Sequence, residues 1–333
     1  MKIKGKILSE ERRRVLADQG VNSMESFRIS ALSRFGIALF VILVLIAVGI
    51  VLIAVGISMI SSNSSDSSEE VWTVIVTGLI VLVMIGVMIR VLVGWAGSPS
   101  KKMLAAYDQW RSMIVIELTN DANATFEPQQ NLSDGDFHMI HHRRDYNIFQ
   151  GNNMIKFGAL RAGYVNVQRE YEVEHTVERD GKTETETETK TEEIWDGVII
   201  VSPAPLPTSA GGAVEIRSDG LSPGMTEIRI AHPHISTSRY RVGTSSDLIA
   251  HRTLTPVIQT AIWDYHAELG RGKESTFVYR NQLLYVGIPN LRLDFGKNPS
   301  IFFSITRQRL NTVISTIEET IRFLSKVETL LPS

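Results

Sequence analysis

The sequence predicts an integral membrane helical hairpin (two transmembrane helices) followed by an α+β cytoplasmic domain with a protruding β-hairpin and a long C-terminal helix. Three observations carry this reading. Residues 35–60 contain no charge, and a second apolar run covers 71–93. Beyond residue 120 the apolar residues alternate with polar ones in short runs, as in half-buried strands. Residues 304–331 return to apolar spacings of three and four.

The 26 residues of the first run exceed the roughly 20 needed to cross a hydrocarbon core at about 1.5 Å per residue. A water-soluble helix seldom stays apolar on every face for so long. A cleaved signal peptide does not fit, because its apolar region is only about 7–15 residues long and no small-residue cleavage site follows Ile60. The run repeats Leu-Ile-Ala-Val-Gly-Ile at 45–50 and 52–57, stacking Gly49 over Gly56 and Ala47 over Ala54. Such a face permits close helix approach, although plain lipid-facing sequence accounts for it equally well. In the second run Arg90 stands three residues from the end, near enough for its guanidinium to snorkel to the interface. A functional intramembrane charge is the alternative.

Orientation follows from lysine and arginine. The basic N-terminal segment 1–34 carries Lys2, Lys4, Lys6, Arg12, Arg13, Arg14, Arg28 and Arg34. The short loop 61–70 carries only Asp66, Glu69 and Glu70, whereas Lys101, Lys102 and Arg111 follow the second run. Both termini are therefore expected in the cytoplasm, with an acidic loop outside a multi-pass inner-membrane protein. Across the whole chain 34 basic and 36 acidic groups nearly cancel, which leaves no electrostatic footprint for a nucleic acid. With no cysteine, disulfide scaffolds, thiolate metal sites and cysteine nucleophiles are excluded.

A juxtamembrane helix is expected over 98–120, from Met103, Tyr107, Trp110 and Ile114. In the α+β region, 121–303, strands are expected at 155–158, 164–177, 194–201, 214–217, 228–231, 240–242, 276–279 and 283–288. Two short helices are expected at 245–254 and 256–269, the first capped by Ser245 or Ser246. The acidic hairpin 169–193 turns at Asp180-Gly181, a two-residue hairpin signal. That turn sets Tyr171 opposite Lys190, Glu172 opposite Thr189 and Glu174 opposite Thr187. The Thr-Glu alternation of its second arm places threonines on one face and charges on the other. Neither face is apolar, so the hairpin is expected to project into water, as a partner site or as a charged edge that blocks aggregation. The C-terminal helix, 304–331, is expected to bury Leu310, Val313, Ile317, Thr320, Leu324, Val327 and Leu331, widened by Ile314 and Ile321. Its candidate partners are its own domain, the 98–118 helix, the same helix of a second copy or another protein, with its own domain preferred because a widened stripe suits a globular face.

Catalytic chemistry is sparse. On a helix His138 and His142 share a face at metal-ligand spacing, with His141 between them, and His232 and His234 are further donors. No glutamate stands inside the pair as general base, so a basic patch near anionic lipid is the preferred reading. Gly270-Arg271-Gly272-Lys273-Glu274 lacks the first glycine and the hydroxyl of a phosphate loop. No catalytic residues, cofactor or metal site are assigned.

The order of features resembles a known family. Two apolar runs precede Phe157-Gly158, an acidic insertion and Ile194-Trp195-Asp196-Gly197-Val198-Ile199. The segment from Tyr240 through Asp247, Ala250 and Leu254 to Pro256 follows, and then Leu284-Tyr285-Val286-Gly287-Ile288-Pro289. This resembles the bacterial membrane proteins grouped as domain of unknown function 3137, often encoded beside LemA-type proteins. The resemblance covers residues 35–300, although His251 stands where the family has arginine. It implies location and architecture, with a LemA-type neighbour as partner, and no catalytic residues. The expected role is a membrane-anchored, non-catalytic interaction or scaffold module contacting the lipid bilayer and a protein partner, or self-associating. A metal-dependent hydrolase or sensor using the 138–142 histidines is the alternative, and an oligomeric transport or channel component is the third.

Overall fold

The computed structural model describes residues 7–62, 68–179, 182–204, 212–218, 220–230, 240–268, 275–293, 295 and 298–331. The chain forms two compact units. One comprises Arg13–Trp110 and Asn298–Asn311, the other Met1–Arg12, Arg111–Lys297 and Thr312–Ser333.

The first unit is built on helices α1 (Glu10–Ser62) and α2 (Ser68–Thr119), both long and apolar enough to cross a membrane. The Ser9 hydroxyl accepts from the Arg12 amide at 3.2 Å, and Glu10 and Glu11 complement the positive end of α1. The helix thus starts well inside the segment read from sequence only as a basic tail. Its inner face, Leu16, Gly20, Met24 and Ala31, recurs at helical spacing and is buried. Three contacts show that α1 and α2 run antiparallel. Trp110 Nε1 donates to the Leu16 carbonyl at 2.8 Å, and the Arg34 guanidinium lies 5.0 Å from the Trp95 ring centre. A Cβ on Gly49 would sit 3.7 Å from Ile85 Cδ1. At Gly20 a Cβ would strike both the Trp110 indole and Leu310, so only glycine admits this packing. The segments expected at 71–93 and 98–120 are one continuous helix, with Pro99 inside it.

The second unit is a nine-stranded antiparallel sheet. Its strands are β1 (Thr125–Glu127), β2 (Ile148–Phe157), β3 (Leu160–Arg179), β4 (Lys182–Pro203), β5 (Ala213–Arg217), β6 (Thr226–Ile228), β7 (Arg241–Thr244), β8 (Thr276–Arg280) and β9 (Leu283–Pro289). Their order across the sheet is β1-β2-β3-β4-β9-β8-β5-β7-β6. Two-residue turns join β2 to β3 and β8 to β9; at the latter both Asn281 and Gln282 have positive φ, the primed geometry that matches strand twist. Expected strands 164–177 and 194–201 lie within β3 and β4, which pair from Arg161↔Val201 to Arg179↔Lys182 with one register shift between Val167 and Gln168.

One sheet face carries Val165, Val167, Ile199, Val201, Val278 and Tyr285, packed against Phe137 and Ile140 of the short helix α3 (Asp134–Ile140). Gly287 lies under this helix, where a Cβ would meet Ile140. The opposite face is covered by α5 (Pro256–Glu268), which follows α4 (Asp247–Thr253), and by the end of α6 (Arg307–Ser325). There Tyr265 stacks on Phe323 and meets the Phe277 ring edge-on, while the Tyr279 hydroxyl donates to the Leu330 carbonyl at 2.7 Å. Burial pushes the Tyr279 phenol well above its usual range.

Three local expectations are corrected. Ser246 is the residue before α4, yet its side chain makes no cap; the Ser245 hydroxyl instead accepts from the Ala213 amide at 2.9 Å. In α6 the buried stripe is Leu310, Ile314, Ile317, Ile321 and Leu324, so Ile314 and Ile321 are central while Val313 and Thr320 lie at its side. The helix gives way at Ser325 to a 3₁₀ turn, Lys326–Leu330, short of the expected end at 331.

Candidate functional site

The pairing of β2 with β3 ends at Ile148↔Gln168, and that of β9 with β4 ends at Gly197↔Pro289. Beyond these points, among the described residues, the two arms of the acidic hairpin pair only with each other, for about 35 Å at the usual rise per strand residue. A β-bulge marks the departure. Val167 faces Trp195 and Gln168 faces Glu193, leaving Ile194 as the extra residue.

In the free ribbon Tyr171 pairs with Lys190, Glu172 with Thr189 and Glu174 with Thr187, the register a two-residue turn dictates. That register, as the sequence expects, makes both faces of the ribbon acidic. The threonines of β4 do not form an uncharged face, because Glu170, Glu172 and Glu174 of β3 stand directly opposite Thr191, Thr189 and Thr187. The other face carries Arg169, Tyr171, Val173 and His175 against Glu192, Lys190, Glu188 and Glu186. Carboxylates therefore line both faces. His175 Nε2 lies 3.2 Å from the Glu188 carboxylate, and Lys190 lies 3.5 Å from the same group.

The ribbon is gripped at its root by the segment that follows α3. Asn147 imitates a strand neighbour: its side-chain oxygen accepts from the Glu170 amide at 2.8 Å, and its amide nitrogen donates to the Glu170 carbonyl at 2.9 Å. Arg143 donates to both oxygens of Asp145 at 3.0 Å and to Glu192 at 2.9 Å, and Arg169 reaches Asp145 at 2.9 Å. The Arg143 guanidinium is the main cause holding the Asp145 carboxyl down to about 2, and Arg169 adds to it. All four side chains are exposed, so this network orients the root more than it stabilises the fold.

Aromatic rings fill the space beneath. Phe137 is fully buried and packs against His141 at 5.3 Å, Tyr146 at 5.5 Å, Trp195 at 5.8 Å and Phe149 at 6.0 Å between ring centres. Helix α3 is held at both ends. Ser133 and Asp136 form a reciprocal capping box, and Asp136 also accepts from Arg161 at 2.8 Å. At the other end Arg217 of β5 donates to the carbonyls of Met139 and Ile140. Arg217 is itself paired with Glu215 at 3.0 Å, both 1% exposed, and Glu215 takes two further bonds from Ser222. Sequence reading passed over this pair as an ordinary strand. Its signal was present in Val214-Glu215-Ile216-Arg217, where two opposite charges two residues apart must share one face.

Among the described residues the 138–142 histidines are not assembled into a metal centre. Helix α3 ends at Ile140, and His141 is extended with φ −136°, so His138 and His142 do not share a helical face. His138 Nε2 lies 3.2 Å from the Tyr146 hydroxyl and 3.4 Å from Asp134, and that hydroxyl donates to Asp134. Burial, together with the bond to Asp134, raises the Tyr146 phenol above its usual range. His141 stacks on Phe137 and accepts from the Arg143 amide at 3.2 Å. Among the described residues no group of three or more His, Asp or Glu is placed to hold a metal ion. His232, His234 and the 270–274 loop lie outside the described residues.

Two glycines behind the family resemblance occupy positions the backbone demands: Gly158 in the β2–β3 turn at φ +57°, and Gly197 where a Cβ would collide with the Ile288 carbonyl. No protein-family model matches this chain, and no curated protein or solved structure shows significant similarity to it.

Proposed function

We propose that this chain is a membrane-anchored, non-catalytic cytoplasmic interaction module that engages a basic surface of a membrane-protein neighbour through its acidic ribbon. The carrying observation is a two-stranded ribbon, paired among the described residues to no other strand beyond Gln168, with carboxylates on both faces and a rigid root. Residues 169–193 contain four basic and ten acidic groups, a net charge of −6. Such a projection presents backbone edges and a negative field together, which steers and registers a positively charged partner. The resemblance to the domain of unknown function 3137 proteins makes a LemA-type membrane protein the first partner to test. A photoreactive residue at Glu186 or Glu172 in native membranes is expected to capture one discrete protein. With the probe kept in place, changing the other four of Glu170, Glu172, Glu174, Glu186 and Glu188 to lysine is expected to abolish the capture. Adducts confined to lipid, or capture indifferent to the charge reversal, would defeat this reading.

In the same reading α1 and α2 cross the inner membrane as a hairpin with both chain termini in the cytoplasm. The supporting pattern is the excess of arginine and lysine before residue 35 and after residue 100. The absence of cysteine makes the test simple. In intact cells an impermeant maleimide is expected to label Ser64→Cys, and Lys101→Cys only after permeabilisation. Labelling of Lys101→Cys in intact cells would reverse the topology.

A further inference from the structure

Within the helical unit two adjacent aromatic rings keep most of their surface exposed. Phe302 and Phe303 are each 61% exposed, side by side in a turn closed by Ser300, whose hydroxyl accepts from the Phe302 amide and whose carbonyl accepts from the Phe303 amide. Their position along α1 is well defined. Leu310 packs at Gly20, Arg307 reaches Asp18 at 2.6 Å, and the Ile305 amide donates to Glu25. From there the chain climbs α1 until the Phe302 ring meets Phe35 edge-on, with ring centres 5.7 Å apart.

Phe35 is the first residue of the uncharged run 35–60, and Arg34 beside it pairs with Trp95 of α2. This level is where an apolar helix meets water, and aromatic rings favour that boundary. Cations surround it. Arg309 lies 5.5 Å from the Phe303 ring centre, and exposed Lys101 and Lys102 follow Trp95 by about 9–11 Å along α2. Exposed rings flanked by basic groups match an anionic bilayer surface, in which rings enter the acyl boundary and cations meet phosphates. A water-exposed alternative leaves two adjacent phenylalanines hydrated with nothing gained.

We propose that the 300–304 turn is a third membrane contact, with Phe302 and Phe303 inserted at the headgroup–acyl boundary of an anionic bilayer beside Phe35 and Trp95. The contact pins the start of α6 to the membrane surface. It rests on the reading that α1 spans the bilayer, and the test separates the two. Single cysteines at Phe303, Ser304, Ile46 and Glu186 carry a nitrobenzoxadiazole label in the full-length protein, reconstituted into phosphatidylcholine–phosphatidylglycerol vesicles. Brominated lipids, bearing bromine at acyl positions 6,7 or 11,12, act as depth-resolved quenchers.

Labels at 303 and 304 are expected to show blue-shifted emission and to lose at least half their intensity to shallow bromines, with less loss to deep ones. The label at 46 is expected to show the reverse order and that at 186 no quenching. Phe303 and Ser304 are exposed, so neither label disturbs packing. Unquenched labels at 303 and 304, with deep quenching at 46, would overturn this contact and leave the span standing. Stronger deep than shallow quenching at 303 would overturn the interfacial placement. Shallow quenching at 303 with none at 46 would keep the contact and overturn the span, and quenching at neither would overturn both.

Discussion

Replacing Arg217 by alanine is expected to cost the sheet unit about 3–5 kcal/mol, because it strands a buried carboxylate and strips α3 of its C-terminal donors. Arg217 and Glu215 are each 1% exposed, and the guanidinium also binds the Met139 and Ile140 carbonyls. Those carbonyls carry the negative end of the helix, so they are strong acceptors with no intrahelical partner. Native-state hydrogen exchange of the full-length protein in detergent, read on peptides from β5 and α3, measures the loss. Replacing both Glu215 and Arg217 by alanine is expected to cost less than the sum of the two single changes, since the second removes a charge the first has orphaned.

The same pair sets a pH dependence. Burial works to raise the Glu215 carboxyl, but the Ser222 bonds and Arg217 outweigh it and hold the group below its usual value. A carboxyl lowered in the folded state contributes stability above its unfolded pKa of about 4.3, and this is lost as the pH falls through the folded value. In Arg217→Ala the balance reverses, and burial drives the carboxyl to take up a proton. The stability gap between the two proteins is therefore expected to narrow on acidification from pH 7 to pH 4. A gap independent of pH would show that Glu215 is not the group left behind.

Truncating Phe137 to alanine is expected to cost a further large amount, about 3–5 kcal/mol, with a functional consequence as well. Its ring is the common neighbour of His141, Tyr146, Phe149 and Trp195, so removal opens a cavity that all four border. Tyr146 lies between Asp145, which binds Arg143 and Arg169, and Asn147, which holds the Glu170 backbone. Loosening Phe137 thus frees the ribbon root. Faster exchange at 168–172 and 192–196 is expected alongside the loss in α3, whereas Phe137→Leu, keeping most of the volume, is expected to show less than half of either effect. Unchanged exchange in the ribbon root would separate the aromatic layer from the ribbon.

Much of this molecule is written locally. The two apolar runs depend only on length and charge, so they are legible before any contact is known. The Asp180-Gly181 turn and the alternation around it are enough to set Tyr171 against Lys190, because register in a two-residue hairpin is counted from the turn. The helix over 10–34 was equally local, in Ser9-Glu10-Glu11 and the spacing of Leu16, Gly20, Met24 and Ala31. Attention to its charges alone concealed it.

Other features required distant chain. Helix α3, seven residues long, is too short to announce itself by periodicity, and the packing that holds it comes from β3, β5 and β9. His138 and His142 lost their shared face because that helix stops at Ile140. Arg217 finds its acceptors 77 and 78 residues away, and no window of sequence predicts that meeting. Turn geometry, strand period and hydropathy are properties of a few neighbouring residues, and the sequence alone determined them here. Which charges are buried, and which carbonyls satisfy them, depends on groups brought together by the completed sheet, so only the tertiary structure decided those.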